Sequence, residues 1–393
     1  MNSPIRALRH DVDERPFIVI WEVTRACALV CRHCRADAVP QRHPRELTTA
    51  EGCTLLDDLA ALGSPRPLVV LTGGDPFTRQ DLATLVAHGT ARGLSMALSP
   101  SVTDRLTPAA LAELAEAGAK AVSLSLDGPD ATTHDTFRGV DGVFDATLIA
   151  AEAVRAAGLR LQINTTVAAS TVQGLAGVLE HVLEMDVGLW SVFFLVPTGR
   201  GADLGALDAH DVEDVLHWLC EVSRLVAIKT TEAPHFRRVV LQRASGETYG
   251  ERGQLFTELM DASAEVRRQA PRRRVPRPPL DVNAGRGFVF VDHLGTVSPS
   301  GFLPAPVGNV RDVALSKLYR SAPLLRLLRN PDRLTGRCGA CEFRAVCGGS
   351  RSRAWAVSGD MFAEDPACDY EPTRGGVRGG AISAGSTKVP ASS

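Results

Sequence analysis

Residues 17–36 read FIVIWEVTRACALVCRHCRA, an apolar run followed at once by three closely spaced cysteines. Cys27, Cys31 and Cys34 are separated by three and then two residues, so one short loop holds three thiols. Three thiolates can bind three irons of a cubane iron–sulfur cluster and leave the fourth iron open. A structural zinc site needs a fourth ligand, and His33, which stands between two of the cysteines, is poorly placed to supply it. The loop therefore indicates an iron–sulfur site, with zinc as the alternative.

Short apolar runs alternate with helical patterns from residue 16 to about residue 234. Runs that are apolar almost throughout are typical of parallel strands covered on both faces. We expect strands at residues 17–23, 68–71, 94–98, 121–126, 159–167 and 189–196, with 226–231 as a candidate seventh. Helical spacing lies between them, for example at residues 49–62, 108–117 and 142–157. This order predicts an α/β fold, a parallel barrel or partial barrel, with its chemistry at the C-terminal ends of the strands.

Four further cysteines lie late in the chain, in a loop-rich segment: Cys338, Cys341, Cys347 and Cys368. Four thiolates can hold a structural zinc ion or an iron–sulfur cluster, and their chemistry alone does not separate the two. Cys53 and Cys220 stand alone in helix-like apolar stretches, where a cysteine usually serves as a small buried hydrophobic residue.

The segment VTRACALVCRHCRA (residues 23–36) resembles the signature loop of the radical S-adenosylmethionine (SAM) superfamily. In that family a Cys-x3-Cys-x2-Cys loop opens a partial (β/α)6 barrel; His33 departs from the aromatic residue that most members have there. The resemblance implies a 4Fe–4S cluster on Cys27, Cys31 and Cys34, with the open iron bound to the amino and carboxylate groups of SAM. It further implies cleavage of SAM to methionine and a 5′-deoxyadenosyl radical, while the protein positions the substrate and excludes water.

A second motif, TGGDP (residues 72–76), follows the second expected strand. It resembles the family's Gly-Gly-Glu-Pro motif, which binds the amino group of SAM, with an aspartate in place of the glutamate. Polar residues also end the next two expected strands. Ser99 and Ser101 end the third strand, and Ser125 and Asp127 end the fourth. By the same resemblance we predict that SAM is bound by Gly73, Gly74, Asp75, Pro76, Ser99, Ser125, Asp127 and Arg138. The sequence identifies no catalytic acid or base.

The spacing Cys338-x2-Cys341-x5-Cys347, with Cys368 after it, resembles the SPASM or twitch extension that binds an auxiliary 4Fe–4S cluster in this superfamily. Arg351 stands where the full SPASM pattern has another cysteine, and residues 295–304 (GTVSPSGFLP) lack the earlier pair. One complete set of ligands remains. The resemblance therefore implies two clusters in total, the second without an open site and serving electron transfer or the fold.

These observations together predict a partial (β/α)6 parallel barrel with a small C-terminal iron–sulfur extension of the SPASM or twitch type. The expected boundaries are an N-terminal extension at 1–15, the barrel at 16–234, a helical and Arg/Pro-rich linker at 235–285, the auxiliary-cluster domain at 286–370 and a disordered tail at 371–393. A hairpin is expected around residues 292–295 of the extension.

Several segments, among them SLDGPDATTHDTFRG (125–139) and LVPTGRG (195–201), resemble members related to heme biosynthesis. Those enzymes oxidatively decarboxylate or trim carboxylate side chains of tetrapyrroles, so the resemblance implies a small anionic substrate. Arg200 and Arg286 are candidates to pair with its carboxylates, because a guanidinium offers a bidentate fork. Maturation of a ribosomal peptide is the alternative. Because only residues 1–15 precede the barrel, we expect no fused leader-recognition domain, and a separate recognition protein would have to take that role. A non-enzymatic electron carrier or zinc-stabilised protein would need neither TGGDP nor a barrel.

The composition favours a soluble protein of the cytoplasm. The chain has 393 residues, a net charge of −2 and no apolar N-terminal signal region, so neither a nucleic-acid partner nor a membrane partner is expected. Nine cysteines in such a chain are not expected to form disulfides. The radical SAM resemblance also implies a reducing electron donor such as flavodoxin or ferredoxin.

Overall fold

The computed structural model describes residues 4–8, 10–247, 252–270 and 274–373. Within these ranges seven parallel strands follow one another along a sheet, each hydrogen-bonded to the next. They are β1 (Ile18–Thr24), β2 (Leu68–Gly73), β3 (Ser95–Leu98), β4 (Ala121–Ser125), β5 (Arg160–Val167), β6 (Leu189–Phe194) and β7 (Ile228–Thr231). All seven overlap the apolar runs from which they were expected, including the candidate seventh.

Helices separate consecutive strands, as parallel connections require. They are α1 (Thr49–Ala60), α2 (Leu82–Ala91), α3 (Pro108–Glu116), α4 (Ala131–Arg138), α5 (Val143–Ala156), α6 (Leu175–Glu184), α7 (Ala209–Val222), α8 (Phe236–Ser245), α9 (Gln254–Ala262) and α10 (Ala264–Gln269). Side-chain caps fix where several of them begin. Thr48 forms a capping box with Glu51, and Thr107 accepts from the amide of Ala110 ahead of Pro108. Asp208 caps α7 in the same way.

The sheet is open at one side, so the barrel is partial. On the side away from β2, β1 pairs with a strand from the C-terminal part of the chain. β7 is the last strand at the opposite end of the sheet. Because consecutive strands run parallel, their C-terminal ends gather on one edge of the sheet, and the loops after β1, β2, β4 and β6 meet there. The α/β fold and the partial (β/α)6 barrel predicted from the sequence are confirmed.

The C-terminal part extends the same sheet. Its strands are β8 (Asn283–Ala284), β9 (Gly287–Val291), β10 (Thr296–Ser298) and β11 (Gly308–Asn309). β9 runs parallel to β1 with Ile18 opposite Phe288, and β10 turns back on β9 through the expected hairpin around 292–295. Four helices complete this part: α11 (Leu315–Ser321), α12 (Pro323–Leu328), α13 (Gly336–Ala340) and α14 (Arg351–Ser358). The domain boundaries drawn from the sequence stay predictions.

The arginine-rich segment expected to be a linker is helical in its first residues, since Arg267 and Arg268 lie in the last turn of α10. Residues 271–273 of that segment, and residues 374–393 of the tail for which disorder was predicted, lie outside the described residues. Across the part of the chain that the structure describes, no helix combines the length and the apolar character needed to cross a membrane.

A continuous apolar core lies between the sheet and its helices. Three of its largest members, Trp21, Trp190 and Trp218, are fully buried, and the last two rings meet edge to face with centroids 6.0 Å apart. Cys53 and Cys220 are partly buried against this core, as expected for isolated cysteines. The core fixes the strands, and the strand ends in turn place the loops described next.

Candidate functional site

The first cysteine group lies on a loop that is closed by its own backbone. The amide of Cys27 donates to the carbonyl of Val39 at 2.9 Å, and the amide of Val39 donates to the carbonyl of Arg25 at 3.0 Å. Cys27 and Cys31 are buried, while Cys34 is half-buried. The loop therefore leaves the C-terminal end of β1 and returns to it, with all three thiols held between the two ends.

Each sulfur of this loop has one nearby N–H donor. The amide of Leu29 lies 3.3 Å from Cys27 Sγ, and that of Ala38 lies 3.5 Å from Cys34 Sγ. Arg138 Nη1 lies 3.7 Å from Cys31 Sγ. Such donors stabilise thiolate charge, and hydrogen bonds to sulfur tune the clusters that cysteines hold. This donor set suits three metal-bound thiolates.

The TGGDP segment lies directly against the start of the cysteine loop. The amide of Gly74 donates to the carbonyl of Thr24 at 2.9 Å, and that of Asp75 donates to the carbonyl of Ala26 at 2.6 Å. Gly73 has φ +147°, and a Cβ there would lie 2.1 Å from the Thr24 oxygen. Only glycine fits so close an approach of two backbones.

We expect a marked loss of stability when Gly73 is replaced by alanine. Gly158→Ala is the matched control, because Gly158 also has a positive φ (+71°) but has no neighbouring atom within 4 Å of an added Cβ. The control should cost about 1–2 kcal/mol for the left-handed backbone alone. Gly73→Ala should cost a further ~1–3 kcal/mol because the backbones must move apart. Urea unfolding measures both; equal losses would contradict the close packing described.

The carboxylate of Asp75 is held by its own turn. Its Oδ2 accepts from the hydroxyl of Thr103 at 2.7 Å, and its Oδ1 accepts from the amide of Phe77 at 3.1 Å. Burial raises the pKa of Asp75 above its ordinary value. Ser101 donates to the carbonyl of Gly74 at 2.8 Å and its oxygen lies 3.3 Å from Cys27 Sγ. Ser101 and Thr103, in the run after β3, thus join TGGDP to the cysteine loop, a link absent from the predicted site.

The other predicted polar residues of the third and fourth strands lie near this junction. The carbonyl of Ser99 accepts from Thr72 at 3.3 Å, and Ser125 ends β4 beside Asn164 of β5. Their contacts place them at the active edge of the sheet. No described contact assigns them to SAM, so their role stays a prediction.

Asp127 and Arg138 form a buried ion pair behind Cys31. Asp127 Oδ2 accepts from Arg138 Nη2 at 2.5 Å, and Oδ1 accepts from the amide of Thr166 at 2.7 Å. Burial would raise the pKa of Asp127, but the charge of Arg138, together with the nearby histidines and the Thr166 amide, lowers this pKa below its ordinary value. The same guanidinium reaches Cys31 Sγ. In this geometry the pair braces the cysteine loop.

His33 takes the place of the family's aromatic residue by stacking. Its ring lies on that of Phe137 with centroids 4.4 Å apart and planes inclined by 13°. Burial first, and the charges of Arg138 and Arg200 with it, lower the pKa of His33 to about 3. The ring is therefore neutral at physiological pH.

The two arginines proposed to bind substrate carboxylates differ in the structure. The amide of Arg200 donates to the carbonyl of Cys34 at 3.2 Å, which places this residue beside the cysteine loop. Arg286 instead forms an ion pair with Asp281 through both of its terminal nitrogens. The fork of Arg286 is already filled, so the expectation that it receives a substrate carboxylate does not fit.

The four later cysteines line one open cavity: Cys338, Cys341, Cys347 and Cys368. All nine cysteines of the chain are free thiols. Burial raises the pKa of Cys341 and of Cys368 to about 12, so metal binding there must displace protons. Within the described ranges, no three His, Cys, Asp or Glu side chains converge closely enough to hold one metal ion.

Arginine side chains surround this second cavity. Arg351, at the position of the absent SPASM cysteine, places Nη2 3.7 Å from Cys338 Sγ. Its Nη1 donates to the carbonyls of Met361 and Ala363 at 2.8 and 2.7 Å, which fixes the guanidinium. Arg238 and Arg337 also line the cavity. The donor set fits a negatively charged group of several atoms held by four thiolates.

Sequence comparisons show which known proteins this chain is similar to. The model of the Radical SAM superfamily matches residues 21–170. The chain is 37% identical over 361 residues to an AdoMet-dependent heme synthase of Oleidesulfovibrio alaskensis, covering 91% of this chain and 88% of that protein. It is 29% identical to an Fe-coproporphyrin III synthase of Methanosarcina barkeri (93% and 90% covered). It is 28% identical to a PqqA peptide cyclase of Rhodopseudomonas palustris (91% and 88% covered).

A solved structure shows the same fold. SuiB of Streptococcus suis bound to S-adenosylmethionine superposes with a TM-score of 0.66 at 14% identity, covering 91% of this chain and 78% of that chain. The cysteine loop after β1, the TGGDP turn beside it and a relative 37% identical over nearly the whole chain agree with one another. The family implies a 4Fe–4S cluster and SAM as cofactors. The chain belongs to the radical SAM superfamily, and it is an enzyme of that superfamily.

Proposed function

We propose that this radical SAM enzyme removes hydrogen from a carboxylate side chain of a tetrapyrrole, leading to oxidative decarboxylation. The observation that carries the proposal is the 37% identity to a heme synthase over 91% of the chain, against 28% to a peptide cyclase over the same share. Both relatives share the architecture, so the substrate must be settled by experiment.

The first cluster would be held by Cys27, Cys31 and Cys34, whose sulfurs each have one N–H donor within 3.7 Å. With SAM bound, the cluster supplies a 5′-deoxyadenosyl radical. The protein itself positions SAM and the substrate and excludes water from the site. Gly73 and Gly74 bring the TGGDP backbone onto the cysteine loop, where it can meet the amino group of SAM.

The remaining SAM contacts are proposed at the strand ends. Asp75 and Pro76 form the turn after β2, while Ser99 and Ser125 lie at the ends of β3 and β4. Asp127 and Arg138 lie behind Cys31. Both carboxylate oxygens of Asp127 already accept hydrogen bonds, from Arg138 and Thr166. We therefore propose that the Asp127–Arg138 pair mainly stabilises the cysteine loop, and that only the Arg138 guanidinium contacts SAM.

A second 4Fe–4S cluster is proposed in the cavity lined by Cys338, Cys341, Cys347 and Cys368. Zinc bound by four thiolates at ~2.3 Å needs the sulfurs to meet around one point, and within the described ranges no three such side chains converge on one metal ion. With four protein ligands, no iron would remain open for substrate. Decarboxylation after loss of a hydrogen atom leaves one electron to be removed, and a cluster held by these four cysteines would supply an acceptor for it. Flavodoxin or ferredoxin would supply the electron that starts each turnover.

The test of the substrate class uses iron coproporphyrin III, the tetrapyrrole named by one relative. We expect anaerobically reconstituted enzyme with SAM and dithionite to release CO₂ from it and to form 5′-deoxyadenosine in step. Omitting SAM is the control. A short synthetic peptide in place of the porphyrin tests the alternative, peptide maturation. Consumption of peptide without reaction of the porphyrin would refute the proposal.

A further inference from the structure

One edge of the Arg200 guanidinium has no hydrogen-bond partner among the residues that the structure describes. Its Nε and Nη2 atoms are both buried and make no hydrogen bond to any residue that the structure describes. These two nitrogens lie on the same edge of the guanidinium and form one of its bidentate donor pairs. A buried donor of a charged group that stays unsatisfied is costly, so such an edge is normally filled.

Three other buried arginines have carboxylate partners inside the protein. Arg138 pairs with Asp127, Arg238 with Glu213 and Arg353 with Asp365. The two nitrogens of Arg200 differ because they are buried without such a partner among the described residues. Arg200 thus presents a preformed pair of donors that no acceptor among the described residues fills.

The backbone holds this fork beside the first cysteine group. Arg200 lies in a 3₁₀ turn, Gly199–Asp203, that follows β6, and its amide donates to the carbonyl of Cys34 at 3.2 Å. Gly199 has φ +55°, and a Cβ there would lie 2.7 Å from the Cys34 oxygen. A Cβ added at Gly201 would lie 3.6 Å from Cα of His33, so this glycine also lies close to the cysteine loop. The turn is thus seated on the cysteine loop, and its arginine leaves from a fixed position at the active end of the barrel.

We propose that the Nε and Nη2 edge of Arg200 binds a ligand carboxylate at the mouth of the barrel, next to the first cluster. The inference deepens the proposed function and rests on it for the identity of the substrate. Two ligands offer a carboxylate at this place: the methionyl end of SAM and the acid side chains of the tetrapyrrole. Both would make the same pair of parallel N–H···O bonds.

The test compares Arg200→Gln and Arg200→Lys with Arg32→Gln in anaerobically reconstituted protein. Arg32 is an exposed arginine of the cysteine loop, on which the Arg200 turn is seated, and it controls for the loss of a nearby charge. One arm measures the Kd for SAM by equilibrium dialysis, and the other measures the Kd for iron coproporphyrin III by absorbance titration. We expect Arg200→Gln to weaken one of them about 10- to 100-fold. Arg200→Lys should recover only part, because it lacks the fork.

Unchanged iron content in the variants shows that the loop still folds and binds its cluster. Weakened SAM binding assigns the fork to the cofactor, and weakened porphyrin binding assigns it to the substrate; normal affinity in both arms overturns the proposal. If the wild-type enzyme does not bind the porphyrin, the proposed substrate class fails on its own. The SAM arm then decides for Arg200: a normal Kd refutes the fork and a raised Kd supports it.

Discussion

Replacing Cys27, Cys31 and Cys34 together with alanine is expected to abolish formation of 5′-deoxyadenosine from SAM. The three thiols lie on one closed loop at the end of β1, and no other cysteine of the chain lies on it. Wild-type protein reconstituted without oxygen should contain about eight irons in two clusters of four, and the variant should lose four of them. Iron analysis and chromatography of the reaction products measure both effects.

Cys53→Ala is the matched control for that variant, because Cys53 is a thiol of α1 packed against the apolar core. It should retain the full iron content and activity. A triple variant that still forms 5′-deoxyadenosine would show that the loop does not hold the cluster that cleaves SAM.

Replacing Cys341 and Cys368 with alanine should remove the other four irons and abolish turnover of substrate. Both thiols line the second cavity, away from the donors that surround the first cysteine group. Slow cleavage of SAM in the absence of substrate should therefore persist, which separates this variant from the triple variant. Metal analysis and 5′-deoxyadenosine formation without substrate measure the two effects.

Metal analysis of the wild-type protein also tests whether the second cavity holds zinc instead of an iron–sulfur cluster. A fully active wild-type protein with one zinc ion and no iron in the second cavity would contradict the proposal of an auxiliary cluster. Loss of SAM cleavage in the Cys341→Ala, Cys368→Ala variant would instead show that the two cysteine groups are not independent.

Much of the fold could be predicted because its strands are apolar runs with a local signal. Residues 18–24 and 68–73 are examples, and cap residues such as Thr48 and Thr107 mark where helices begin. The parallel pairing of β9 with β1 has no such signal. It joins Ile18 to Phe288, and a contact so distant in sequence is fixed by packing rather than by local propensity.

The cysteines of the candidate site followed from spacing, since ligands on one loop leave a pattern in the sequence. Contacts between loops leave no such pattern in the sequence. The contact of Arg138 with Cys31 depends on how the segments after β4 and β1 meet in the fold. Arg286 was a candidate because of its bidentate fork, but the structure pairs that fork with Asp281, five residues before it. Asp281, an acidic residue on the same segment, was the sequence signal that Arg286 has a partner within the protein.

The measurement that tests the account most directly follows one hydrogen atom. Iron coproporphyrin III deuterated throughout its carboxylate side chains is incubated with the enzyme, SAM and dithionite, and the 5′-deoxyadenosine is analysed by mass spectrometry. The account predicts 5′-deoxyadenosine that contains one deuterium, together with loss of CO₂ from the porphyrin. Unlabelled 5′-deoxyadenosine with an unchanged porphyrin would contradict it.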